Sequence, residues 1–209
     1  EYRRQRQMCI RDSFPSGKTR PNDLILSTGL LNRSGVEKLT IKTQGAVTVA
    51  GDAKLELPEH GELDIEAGKI NVWGDIDSAG GTIDLTSKQE YAAQVPNLVG
   101  TINIGENAEL NVSGRWINDF ALGEIDPTEA IAIDGGEISL ASESDLTINK
   151  GAELKADGGA WLNMSQELTA GTGGAISLSA DSSGKANLAN VVLKGQVSAS
   201  GLEQGGSLS

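Results

Sequence analysis

Few side chains in this 209-residue chain are able to do chemistry, and most of those are carboxylates. The single histidine, His60, stands in Pro58-Glu59-His60-Gly61, a stretch with the residue types of a turn. It reads as a solvated turn residue rather than a base or a metal ligand. One histidine and one cysteine, Cys9, cannot supply the nitrogen and sulfur ligands of a zinc site. On a strand, Asp75-Ile76-Asp77 would set two carboxylates on one side about 6.5–7 Å apart, twice the rise per residue. Glu62, Asp64 and Glu66 would form a similar stripe. Such spacing suits a calcium ion or paired acid/base work. Outward positions of any acidic strand produce it automatically, however, and no GGxGxDxUx calcium nonapeptide occurs. The expectation is no catalytic residue, no metal site and no cofactor.

Trp73, Trp116 and Trp161 recur in similar surroundings. Rows of aromatics can hold sugars or stacked bases; a large side chain beside a glycine corner more simply fills a coil's end or covers a loop. Arg115 adjoins Trp116, where a guanidinium can stack on an indole, but the matching position is Ala160. Asn-x-Ser sequons begin at Asn32, Asn111 and Asn163, with Asn111 at the outward position of a strand triplet.

Something must position these groups, and the composition limits what it can be. Aromatics are 3% of the chain and Gly supplies 27 positions, while hydrophobic residues still make up 38%. A core must therefore be assembled from many small aliphatic contacts. A formal net charge of −12 repels phosphate, so nucleic acid is excluded as a partner. The chain has no run of about 18 apolar residues to span a membrane as a helix, no visible secretory leader and no initial Met. It reads as an internal piece of a longer protein. Residues 1–13, EYRRQRQMCIRDS, break from the rest: basic, glycine-free and holding the only cysteine. QMCIRDS resembles a translated sequencing adapter, so this segment is expected to be non-native or disordered, with a basic arm as the alternative. Residues 14–38, with Pro15 and Pro21, read as a loop leading into the fold, with one strand near Leu24 to Leu26.

From residue 39 to 209 the chain carries a recurring apolar, polar, apolar triplet bounded by Gly, Asn, Asp or Ser. Twelve copies occur, including Leu39-Thr40-Ile41, Leu63-Asp64-Ile65, Ile102-Asn103-Ile104, Ile131-Ala132-Ile133 and Leu146-Thr147-Ile148. Residues i and i+2 of a strand share a face, so each triplet points two aliphatics inward. Triplets this close leave no room for crossover helices and lack Asn-Gly hairpin signals. The expected fold is all-β, a right-handed parallel β-helix (solenoid) with roughly 20–22 residues per coil, eight or nine coils and a length on the order of 40 Å. INIGENAELNVSGRWIN (Ile102 to Asn118) aligns with TINKGAELKADGGAWLN (Thr147 to Asn163) at a spacing of 44, read as two coils of 22. One inserted residue then brings Trp116 onto Trp161. GGTIDL, GGEISL and GGAISL follow the copies. Residues 88–100 and 119–130 read as lateral insertions, the first with a helical turn near Tyr91 to Val95.

SGRWIND (Ser113 to Asp119), GGAWLN (Gly158 to Asn163), GGAISLSADSSG (Gly173 to Gly184) and LKGQVSASGLEQGGSLS (Leu193 to Ser209) resemble the passenger of large filamentous-haemagglutinin-type exoproteins. The resemblance covers most of the chain after residue 39. It implies a β-helical shaft segment of a bacterial adhesin, exported commonly by two-partner secretion through an outer-membrane transporter and exposed extracellularly at the cell surface. Implied partners are glycans or proteins of host or neighbouring cells, and further copies of the chain through self-association. No Asn-Pro-Asn motif of that family's secretion domain is present. The alternatives are a β-helix carbohydrate-active enzyme, which would need a deep lateral groove with three or more carboxylates, and an autotransporter passenger.

Overall fold

In a computed structural model, residues 7–11, 23–95, 98–122, 131–181 and 189–209 are described. The chain opens with β1 (Gln7–Arg11), β2 (Asp23–Ser27) and helix α1 (Thr28–Ser34). Five turns of similar plan come next. The first holds β3 (Lys38–Val49) and β4 (Lys54–Glu56); the second β5 (Glu62–Val72) and β6 (Asp75–Asp77). The third holds β7 (Thr82–Ser87), α2 (Gln89–Ala92), β8 (Ile102–Ile104) and β9 (Glu109–Asn111), then an arm of β10 (Trp116–Asn118) and α3 (Asp119–Leu122). The fourth holds β11 (Glu137–Ser142), β12 (Leu146–Ile148) and β13 (Glu153–Lys155), with β14 (Ala160–Leu162) and β15 (Leu168–Ala170) as its arm. The fifth holds β16 (Ala175–Ala180), β17 (Val191–Leu193) and β18 (Gln196–Ser198), and β19 (Ser207–Leu208) begins another.

Each turn passes through three parallel ladders in the same order. The first stacks Leu39, Leu63, Ile83, Ile138, Ile176 and Leu208 in register. The second stacks Val49, Val72, Ile104, Ile148 and Leu193. The third stacks Leu55, Ile76, Leu110, Leu154 and Val197. The fold is thus all-β and parallel, a solenoid-like winding around a thin aliphatic centre. Ile65, Ile70, Ile76, Ile104 and Leu110 are completely buried, each side chain contributing about 1.5–3 kcal/mol. The backbone ladders satisfy the amides that so narrow a core would otherwise strand. Two buried serines in the first ladder, Ser87 and Ser142, satisfy each other at 2.9 Å, and Ser142 Oγ also lies 3.1 Å from the carbonyl of Asp145.

A spine of glycines lets the turns stack. A Cβ on Gly136 would fall 1.9 Å from the carbonyl oxygen of Gly81, and one on Gly174 or Gly206 would fall 1.9 Å from that of Gly136 or Gly174. Those carbonyls accept from the next turn, Glu137 N–H to Gly81 O at 2.9 Å and Ala175 N–H to Gly136 O at 3.0 Å. The double-glycine motifs therefore serve close backbone approach, and Gly80 of the first also takes a positive φ of 62°. Among the described residues, positive φ is confined to Gly35, Gly80, Gly151, His60, Asn107 and Gln166.

Several expectations need correction. The 44-residue spacing is one turn, not two, because Ile104 pairs directly with Ile148 and Leu110 with Leu154. The excess length lies in lateral insertions, so the described residues make five full turns rather than eight or nine; the third ladder has five strands, β19 adds a sixth to the first, and β1 and β2 extend the second. Trp116 pairs with Ala160 and Ile117 with Trp161, so no inserted residue aligns the tryptophans and they point to opposite faces. Ile131-Ala132-Ile133 is not a strand; its central Ala132 is the buried one. Helix α1 replaces part of the expected loop before residue 38, and the helical turn near Tyr91 is α2. The backbone of β1 pairs parallel with β2 and β3. The rest of residues 1–22 lies outside the described residues, as does most of the second insertion. β14 and β15 form the one antiparallel pair among the described strands.

Candidate functional site

The outward face of the third ladder becomes a groove because of the path the chain takes after β9. Glu56 of β4, Asp77 of β6 and Asn111 of β9 lie in register, so three successive turns present one column of polar side chains. In the first two turns the chain bends directly back toward the first ladder. In the third it leaves through Ser113-Gly114-Arg115 into β10, where Gly114 must lack a side chain because a Cβ would sit 1.9 Å from the Ile133 carbonyl oxygen. β10 then pairs with β14, and the arm walls the column. The resulting groove holds about 610 Å³, with Glu56, Asp77, Asn111, Ser113, Arg115 and Trp116 around it.

Its electrostatics are uneven. Arg115 Nε is bound 2.8 Å from Glu59 Oε1, and Lys54 Nζ lies 2.6 Å from Glu56 Oε1. Asn111 Nδ2 donates to Asp77 Oδ2 at 3.4 Å, while Asn111 Oδ1 accepts from the Ser113 amide at 3.0 Å. Burial pushes the Asp77 carboxyl above its ordinary range, against the pull of Lys54 and of the Asn111 hydrogen bond. Lys155, next in the same column, turns away to Glu109 at 3.1 Å and to Glu153. Trp116 is 69% exposed, so its indole is open to solvent at the groove wall.

The other sequence candidates are dispersed. His60 is exposed in its turn at φ 58°, with Nδ1 3.2 Å from the Gly80 carbonyl oxygen. Asp75 and Asp77 share a side of β6, yet only Asp77 lines the groove; Asp75 Oδ1 accepts the Glu109 amide at 3.1 Å. Glu62, Asp64 and Glu66 face outward on the first ladder, away from the groove, and Glu66 is held by Tyr91, Lys88 and Lys42. Among the described residues no group of three or more His, Cys, Asp or Glu side chains is placed to hold a metal ion. Cys9 lies on β1.

The tryptophans do three different jobs. Trp73 lies over Gly105, whose Cβ would fall 2.1 Å from the indole Cε3. Trp161 Nε1 donates to buried Asp119 at 2.7 Å and ties the arm to α3. Only Trp116 faces the groove. Arg115 is paired with Glu59. Two sequon asparagines are engaged: Asn32 bonds β4 and Asn111 bonds Asp77. Asn163, half-buried in the β14–β15 turn, is engaged as well: its Oδ1 accepts the Ser165 amide at 2.9 Å and its Nδ2 donates to Glu167 Oε2 at 3.2 Å. Sequence reading missed Glu56 and Asn111 as groove residues. The signal was their outward position on the three-residue strands of the third ladder.

No helix among the described residues is long and apolar enough to cross a membrane. Compared with protein families, curated proteins and solved structures, the chain matches none.

Proposed function

We propose that the chain is a right-handed parallel β-helix with roughly 20–22 residues in an uninterrupted coil, and that it serves as a non-catalytic structural and interaction segment of a secreted bacterial surface adhesin. The observation that carries this reading is the in-register stacking of three ladders, with the extra length expelled into arms on the outside. A parallel β-x-β connection winds right-handed in almost all cases. The two uninterrupted steps, Lys38 to Glu62 and Glu62 to Thr82, bracket the coil length. Such a shaft gains stability turn by turn and leaves its exterior free to carry binding surfaces. The filamentous-haemagglutinin-type motifs add export through an outer-membrane transporter and a place at the cell surface, with host or neighbouring cells as the surfaces met.

The test is attachment. Beads coated with the purified, folded chain should adhere to bacterial or epithelial cell layers above beads coated with an unrelated acidic protein. Equal adhesion of the two would overturn the reading. The carbohydrate-active enzyme is the second reading, favoured by one observation: Asp77, with a raised carboxyl, shares a groove with Glu56. Release of reducing ends from a polysaccharide by the intact chain, abolished in Asp77→Asn, would establish it instead.

A further inference from the structure

We infer that the groove between the third ladder and the β10 arm is a binding site for a short neutral oligosaccharide, with Trp116 as the stacking platform and the Asp77–Asn111 pair as the hydroxyl clamp. The inference rests on the interaction role proposed above and names the ligand class of that site.

Three features converge. An indole held on a strand at the wall of a groove and left largely open to solvent offers a rigid apolar face without side-chain ordering on binding. The C–H face of a pyranose is a flat apolar surface of matching size. Beside it, Asp77 supplies carboxylate oxygens that only accept, and Asn111 supplies an amide that both donates and accepts. Vicinal sugar hydroxyls are donors and acceptors at once, so this pair can engage both groups of a diol, with the Ser113 hydroxyl alongside. Their mutual contact of 3.4 Å is long for a hydrogen bond, which leaves both groups able to exchange it for a shorter one to a ligand.

Charge selects the kind of sugar. The groove's guanidinium is already neutralised by Glu59, and Lys155, next in the column, is turned away to Glu109 and Glu153. Glu56 is paired with Lys54, so among the described residues Asp77 is left as the groove carboxylate without a cation partner, on a chain of net charge −12, and sulfated, sialylated or uronic sugars meet repulsion. A strongly basic peptide would draw on the same carboxylates, but it has no use for the amide, the hydroxyl and the open indole together. Glu56, Asp77 and Asn111 belong to three consecutive turns, giving a floor about 10 Å long at about 4.8 Å per turn, the span of one to two sugar rings.

The experiment uses the full chain against a panel of neutral di- to tetrasaccharides of glucose, galactose, mannose and N-acetylglucosamine. Sialylated and sulfated counterparts and an oligolysine peptide serve as comparison probes, and tryptophan fluorescence and calorimetry as readouts. At least one neutral probe should bind and change the fluorescence, with little dependence on salt. Trp116→Ala should lose the fluorescence change and weaken binding by roughly tenfold or more, and Asp77→Asn should weaken it similarly. Trp73→Ala and Asp75→Asn, outside the groove, should not. Trp116 is exposed, so its variant should fold as the parent does, checked by circular dichroism. Absence of neutral-sugar binding at millimolar concentration, binding unchanged in Trp116→Ala, or binding only to charged probes and abolished by salt would each overturn the proposal. If coated beads still attach to cells while Trp116→Ala attaches equally well, the sugar site fails and the adhesive role stands. Sugar binding without attachment overturns the adhesive role alone.

Discussion

Glu66 shows how single residues fasten the insertions to the shaft. The Tyr91 hydroxyl donates to its Oε1 at 2.5 Å, and Lys88 and Lys42 approach at 3.2 and 3.3 Å. The Tyr91 hydrogen bond, with the two lysines and against a desolvation cost, lowers the Glu66 carboxyl to about 2. An unfolded glutamate titrates near about 4.3. The stabilisation is therefore complete above that value and is lost as pH falls toward about 2. In Tyr91→Phe the Glu66 midpoint, followed by carboxyl carbon chemical shift, should move up toward the ordinary value and the acid loss should shrink. Gly136→Ala places a methyl 1.9 Å from a carbonyl oxygen that cannot retreat without breaking a ladder bond. We expect it to cost on the order of 3 kcal/mol in urea unfolding. Gly205→Ala, with no atom within 4 Å of the new Cβ, should stay within about 0.5 kcal/mol of the parent.

Among the elements, α1 has a role that its length would not announce. β4 is the first strand of the third ladder, so its outer edge would be an open template for another strand. The Asn32 carboxamide closes it: Nδ2 donates to the Lys54 carbonyl at 3.0 Å and Oδ1 accepts the Glu56 amide at 3.0 Å. These are the donor and acceptor a neighbouring strand would supply. Asn32→Ala should lose about 1–2 kcal/mol and raise concentration-dependent association in analytical ultracentrifugation; an unchanged sedimentation profile would mean that the edge is protected otherwise. Within the stack, Leu110 has a neighbour above and below from Ile76 and Leu154. Truncation to Ala should cost about 2–5 kcal/mol because both neighbours are held by their own ladders and cannot collapse into the cavity.

At the scale of the whole molecule, the stack spans about 19 Å along the five strands of the third ladder, at about 4.8 Å per step. Its last full turn leaves Val191 44% and Leu193 45% exposed, where the same positions one turn earlier are buried as Leu146 and Ile148. An apolar end with open strand edges favours stacking on another copy, while the net charge of −12 opposes it. Screening should tip that balance: the sedimentation coefficient should rise with concentration at about 1 M salt and much less at low ionic strength.

The strand content and the inward aliphatics of the first two ladders were legible in the sequence, because alternation between i and i+2 is a local property of the backbone. The third ladder was harder to see. The triplets Leu55-Glu56-Leu57 and Leu110-Asn111-Val112 fall on it, but Asp75-Ile76-Asp77 and Glu153-Leu154-Lys155 carry one inward aliphatic each, and a pattern that seeks two passes over them. Which turn pairs with which was decided by the tertiary structure. Backbone ladder bonds are indifferent to sequence, and the insertions that separate Asn111 from Lys155, or Ser87 from Ser142, carry no period. The groove depends on that pairing. Glu56, Asp77 and Asn111 are remote along the chain and meet only because three turns stack in register, and Trp116 faces them only because a glycine lets the arm leave the coil.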